Sequence, residues 1–227
     1  MREKKFIRTL SCLCVVLMAC GTAFAQQGKL RSGPYQGPVT PMVSPDIPDV
    51  GPFYSNLVTD TTCVGGCNYS TANGYFVLGP NNCFSPGATQ WISFPFVASR
   101  TGAVRQVMLS ITDSGFCVAT STKFTVAIYS DDPTCGGIPG TQIGNAVVGT
   151  APAAPCSLAN TNFGHAAVSL TAGVTYWVVV TTSTAASQTG TTAVWWMSNY
   201  AYAPYNLNDG NGWVAFPDGA PGGFSVN

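Results

Sequence analysis

Six aromatic residues crowd into nineteen positions near the end of this 227-residue chain: Trp195, Trp196, Tyr200, Tyr202, Tyr205 and Trp213. Flat amphipathic rings at that density offer a platform on which a sugar ring packs its apolar face, with indole N–H and phenol O–H groups left to meet hydroxyls. Trp195 and Trp196 sit in a run, Ala193 to Met197, that reads as a β-strand, so pleating sends them to opposite faces. One of them belongs to the core. The other centres a binding face that Tyr200, Tyr202 and Tyr205, on a flanking loop, would widen. The competing reading is that both indoles pack against a neighbouring sheet or loop, the ordinary fate of bulky aromatics.

Catalysis has little to work with. From Gln26 onward the chain holds no glutamate and one histidine, His165, at a junction between loop and strand. A serine triad needs an imidazole base, and no Gly-x-Ser-x-Gly elbow accompanies it. Glycoside hydrolysis needs two carboxylates flanking the bond; the densest pair, Asp131 and Asp132, is adjacent in sequence and diverges at a strand exit. A hydrolase is therefore the weakest functional reading. Asp131, Asp132 and Asp209 supply oxygens on loops, the ligand type of a structural calcium ion. Asp-Pro and Asp-Gly are also plain turn formers. No other cofactor is expected.

The first 25 residues read as a signal peptide. Arg2, Lys4, Lys5 and Arg8 precede an apolar run, and Ala23-Phe24-Ala25 is a small-x-small cleavage site. Leu17-Met18-Ala19-Cys20 also resembles a lipoprotein box, so lipid anchoring through Cys20 is the alternative to free secretion. The apolar run is too short for a spanning helix. The remainder carries five basic and eight acidic side chains, a net charge of 5 − 8 = −3, with no basic patch for nucleic acid. Six cysteines follow the leader: Cys63, Cys67, Cys83, Cys117, Cys135 and Cys156. An even number in an exported chain reads as a disulfide framework. The favoured pair is Cys135 with Cys156, closing a long inter-strand loop at a gain of roughly 3 kcal/mol. Zinc at Cys63 and Cys67 lacks a second tight pair. The sequon at Asn68 is discounted because the leader looks bacterial.

Residues 26–56 form a proline-rich arm, with Pro34, Pro38, Pro41, Pro45, Pro48 and Pro52 favouring extended conformations. Residues 57–227 form the folded domain. Its centre is the stretch from Leu170 to Thr181, where Val174, Tyr176, Trp177, Val178, Val179 and Val180 predict a strand buried on both faces. Gln90 to Phe96 alternates, with Trp91, Ser93 and Pro95 opposite Ile92, Phe94 and Phe96; Pro95 argues for an edge or a bulge. Val107, Leu109 and Ile111 point one way and Gln106 and Ser110 the other, which predicts one wet face. Phe124, Val126 and Ile128 point inward. No segment shows a sustained 3.6-residue period. The expected fold is all-β, an antiparallel sandwich of jelly-roll type built from eight to ten short strands.

Phe94-Pro95-Phe96, Val107-Met108-Leu109, the run from Phe124 to Asp131, Pro139-Gly140, the run from Leu170 to Trp177, Trp195 and Phe224-Ser225-Val226 stand in an order that resembles the choice-of-anchor R domains of exported bacterial proteins. The resemblance covers roughly residues 83–227. It implies a secreted β-sandwich module, and it brings no catalytic residues with it. Members often carry a C-terminal sorting segment, which the residues before Asn227 do not resemble. Two functional expectations follow from different classes. One is a non-catalytic module that binds extracellular glycan or surface material. The other is a structural or adhesive envelope protein that self-associates through sheet edges, which recruit a neighbour's strand readily.

Overall fold

This computed structural model describes residues 51–57, 69–70, 73–80, 82, 87–113, 123–153, 156–182, 192–198 and 203–227. The described residues hold fifteen strands and no helix. In chain order the first eight are β1 (Tyr54–Ser55), β2 (Gly74–Leu78), β3 (Trp91–Val97), β4 (Gly102–Ala103), β5 (Gln106–Leu109), β6 (Ile111–Asp113), β7 (Lys123–Asp131) and β8 (Pro139–Thr150). After them come β9 (Ala159–Asn162), β10 (Ser169–Leu170), β11 (Thr175–Thr182), β12 (Thr192–Trp196), β13 (Ala203–Asn208), β14 (Trp213–Gly219) and β15 (Phe224–Val226). The leader, and with it Cys20, lies outside the described residues. None of the described residues forms a helix long and apolar enough to cross a membrane.

Every pairing is antiparallel. A six-stranded sheet runs β14-β13-β3-β11-β7-β8; a four-stranded sheet runs β1-β15-β5-β9; a three-stranded sheet runs β2-β12-β6; and β10 pairs with β4. The expected central strand is β11, flanked by β3 and β7. Tyr176, Val178 and Val180 enter the main core, and Trp177 and Val179 are buried on the other face. Two successive β-branched or aromatic faces are what a strand enclosed on both sides requires.

The core is a two-layer fill. Ile92, Phe94, Phe96, Phe124, Val126 and Ile128 come from the six-stranded sheet. Tyr75, Val107, Leu109, Ile111, Trp195, Phe224 and Val226 come from the two smaller sheets. Phe94 meets Trp195 edge-on at 4.8 Å between ring centres, and Trp195 meets Phe224 at 6.0 Å. Interdigitation of this kind makes the arrangement a β-sandwich.

Three sequence expectations change. The strands number more than eight to ten, because β9 and β13 form where loops were expected and two-residue strands, β1 and β4, add to them; β8, for its part, runs to twelve residues. Ser110 does not lie on a wet face. It is fully buried at the joint between β5 and β6, where its hydroxyl lies 2.7 Å from the Trp196 carbonyl and 2.9 Å from that of Gly223. The strand changes partners there, from β15 to β12. Pro95 sits in an internal strand, but β13 pairs only with Trp91 to Ser93, so at Pro95 that side of β3 is a local edge.

The folded body also starts earlier than residue 57. Tyr54 pairs with Val226, and the Phe53 amide donates to the Val226 carbonyl at 2.7 Å. Arg100 stacks 3.9 Å over the Phe53 ring and donates from Nε to the Gly51 carbonyl. Asn56 is buried; its Nδ2 donates to the Gly222 carbonyl (2.9 Å), and its Oδ1 accepts from the Phe224 amide (2.6 Å). The side-chain amide thus imitates a strand neighbour. Asn56→Asp replaces the donor by an oxygen facing another oxygen, and loss of a buried partner costs about 1–3 kcal/mol. Urea unfolding of that variant should show a midpoint lowered accordingly, with an unchanged slope. An unchanged midpoint would remove Asn56 from the closure.

Candidate functional site

The four of the six expected aromatics that are described do not assemble on one face. Trp195 is fully buried among Phe94 and Phe224, and its Nε1 donates to the Gly223 carbonyl. Tyr205 faces the core side of β13, stacked on Phe216 (4.8 Å, 11°) and 5.0 Å from Tyr75. Trp196 is half-buried on the opposite layer, its Nε1 donating to Thr112 Oγ1 at 2.7 Å. Tyr200 and Tyr202 lie outside the described residues. Of the set, only Trp213 stands on the outer face of the six-stranded sheet.

There it has a partner that composition near the C-terminus did not suggest. Asn208 pairs with Trp91 on one side and with Trp213 on the other, so the three residues form a row across β3, β13 and β14. Leu207 and Ile92 on the same strands point to the core; their neighbours in the pleat therefore point out. Two strand intervals put the Trp91 and Trp213 backbones roughly 10 Å apart. Both indoles are half-buried, and neither Nε1 has a partner among the described residues. Asn208 Oδ1 accepts from the Gly210 and Gly212 amides of the β13–β14 turn, which fixes the amide between the rings with its Nδ2 uncommitted among the described residues. The signal for Trp91 was its alternation against Ile92 in a strand whose other face is plainly core.

The next row on this face holds Asn206 opposite Ser93. Both are fully buried, and Ser93 Oγ and Asn206 Oδ1 have no hydrogen-bond partner. Asn206 Nδ2 donates to the Gly137 carbonyl at 3.2 Å. Gly137 belongs to the loop after β7, so that loop folds back over β11 and β3 to reach β13. Asp131 fastens it: Oδ1 accepts from Trp177 Nε1 (2.9 Å) and from the Gly137 amide (3.2 Å).

The aspartates expected as calcium ligands serve turns. Asp132 Oδ1 accepts from the Thr134 and Cys135 amides, and those bonds, Thr134's first, hold its carboxyl below the usual range. Asp209 Oδ1 accepts from Asn211 in a different hairpin. No group of three or more metal-ligating side chains occurs among the described residues. His165 is exposed. Cys156 is disulfide-bonded, while Cys135 carries an exposed thiol, so the expected Cys135–Cys156 bridge is not the one formed. Cys63, Cys67, Cys83 and Cys117 lie outside the described residues, as does Asn68.

No family model, curated protein or solved structure matches the chain.

Behind the site, burial holds the Tyr54 phenol well above its ordinary value, and burial followed by the neighbouring Tyr205 hydroxyl does the same to Tyr75. In the unfolded chain both ionise near pH ~10. The folded state then keeps protons that the unfolded state loses. Stability is complete below that pH and falls as pH rises above it. Urea midpoints should drop between pH 8 and pH 11, and the drop should be shallower in Tyr75→Phe. An equal drop in the variant would remove Tyr75 from the account.

Proposed function

We propose that this chain is an exported, non-catalytic β-sandwich module that binds extracellular polysaccharide on the outer face of its six-stranded sheet. The observation that carries the reading is the pair of half-buried indoles without polar partners among the described residues, Trp91 and Trp213, held on one face across the fixed amide of Asn208. Two rings and a donor between them suit a polymer of pyranoses, whose C–H faces pack on indole while equatorial hydroxyls meet the amide. Export is supported by the charged leader and its Ala23-Phe24-Ala25 site, and by the ordered resemblance to choice-of-anchor R domains. The cysteine framework fits an oxidising compartment. A non-catalytic role is supported by the absence of glutamate after the leader and by the exposure of the single histidine.

The twelve-residue edge strand β8 favours a second reading, self-association as an envelope component. It is the weaker one. Register shifts interrupt β8 opposite Val126 to Asp131, and Gly144 adopts φ +63° where a Cβ would strike the Ala166 carbonyl. Edges broken in this way resist strand addition. Pro217 interrupts the other edge, β14.

Sedimentation with insoluble cellulose, chitin, xylan and peptidoglycan tests the proposal. At least one polymer should retain the protein. Trp91→Ala and Trp213→Ala should each weaken retention by about tenfold or more, roughly 1.4 kcal/mol, at unchanged melting temperature. Trp196→Ala, on the other layer, should retain normally. Absence of retention on every polymer, with concentration-dependent assembly in solution, would transfer the function to β8.

A further inference from the structure

The outer row does not stop at Trp91. One more step of the β3–β11 register brings Thr181 opposite Trp91; Thr181 pairs with Thr125, and Thr125 with Val148. Trp213, Asn208, Trp91, Thr181, Thr125 and Val148 therefore stand in register, one on each of the six strands. All six residues are uncharged. Five strand intervals make the line about 24 Å long. Thr181 and Thr125 are half-buried, with hydroxyls uncommitted among the described residues, and Val148 is 61% exposed at the far end. Among the described residues, Lys123 stands one row away on β7 and Asp209 in the β13–β14 turn, one charge of each sign.

Resting on the polysaccharide reading, we propose that the ligand is a neutral, extended β-1,4-linked glycan that lies across the strands along this row. Two observations point there. First, the indoles are separated by a span comparable to one disaccharide of such a chain, in which alternate rings present the same face. Trp91 and Trp213 then receive sugars of like orientation, and the sugar between them sits over Asn208. Second, the row carries hydroxyl, amide and apolar groups with no charge, which suits a neutral polymer and gives an acidic one nothing to pair with. The spacing of the indoles sets the linkage: an extended β-1,4 chain brings like faces back at every second sugar, whereas a helical α-1,4 chain turns them away.

Calorimetric titration of the full chain with cello-oligosaccharides and, separately, chito-oligosaccharides of two to six sugars is the test. The two series share the linkage and differ at the 2-substituent, so they distinguish glucan from amino-sugar sources. Affinity should rise at least tenfold from dimer to pentamer in one series and then level off, because the row holds about five rings. Thr125→Glu and Thr181→Glu, each verified to melt as the parent does, should weaken pentamer binding severalfold and leave trimer binding at the indoles unchanged. Affinity independent of chain length, or pentamer binding indifferent to both threonine variants, would overturn the cross-strand placement while polysaccharide binding stands. Retention on acidic polymers alone would overturn the neutral assignment. No binding to any polysaccharide would overturn the functional reading and this inference together.

Discussion

The closure of β15 is the constraint on which the rest of the sandwich depends. This three-residue strand is fully buried and lies between β1 and β5. Ahead of it, Gly222 and Gly223 approach Trp195 and Ser110 so closely that a Cβ on Gly222 would stand 2.5 Å from the indole, and one on Gly223 2.7 Å from the serine hydroxyl. On the other flank Asn56 supplies both a donor and an acceptor. Trp195 binds the Gly223 carbonyl, and Ser110 contacts it too. One short segment thus joins the four-stranded sheet to the three-stranded sheet and presents both to the aromatic core. Removing the indole would leave a large cavity; such truncations cost about 3–5 kcal/mol.

This explains why the aromatic cluster near the C-terminus is mostly structural. Trp195, Tyr205 and Phe216 lie where the layers meet, and large rings fill that space with few rotatable bonds. Polar tips then need partners, and Trp195 Nε1, Trp196 Nε1 and the Tyr75 hydroxyl each find one. The rings without such partners among the described residues, Trp91 and Trp213, are those on the far side of the six-stranded sheet. Indoles left without a polar partner are therefore found by their face of the sheet, and local density of rings is no guide to them.

Much of the fold was legible. The Val and aromatic run of β11, and the alternations of β3, β5 and β7, are local signals of period two, and burial followed them closely. Ser110 was misread because a strand that switches sheets breaks the alternation by one residue's role, and nothing in Leu109-Ser110-Ile111 reveals where partners change. β13 was hidden because Ala203-Pro204-Tyr205-Asn206-Leu207-Asn208 has little β propensity; its pairing with β3 and β14 imposes the strand. The site was half legible. Trp213 was named and Trp91 was assigned to the correct face, but their adjacency needs β13 between them, a long-range pairing that no local pattern encodes. The Cys135–Cys156 bridge failed for a similar reason, since loop length says nothing of where the ends point.

The entry of the chain beside β15 has a bearing on how the module is held. Gly51 to Asn56 joins the four-stranded sheet, and Val226 pairs with Tyr54, so both ends of the folded body lie on one layer. The Trp91 row lies on the outside of the other layer, a full sandwich thickness away. The point where the chain enters the described body and the row of Trp91 therefore lie on opposite outer faces of the sandwich.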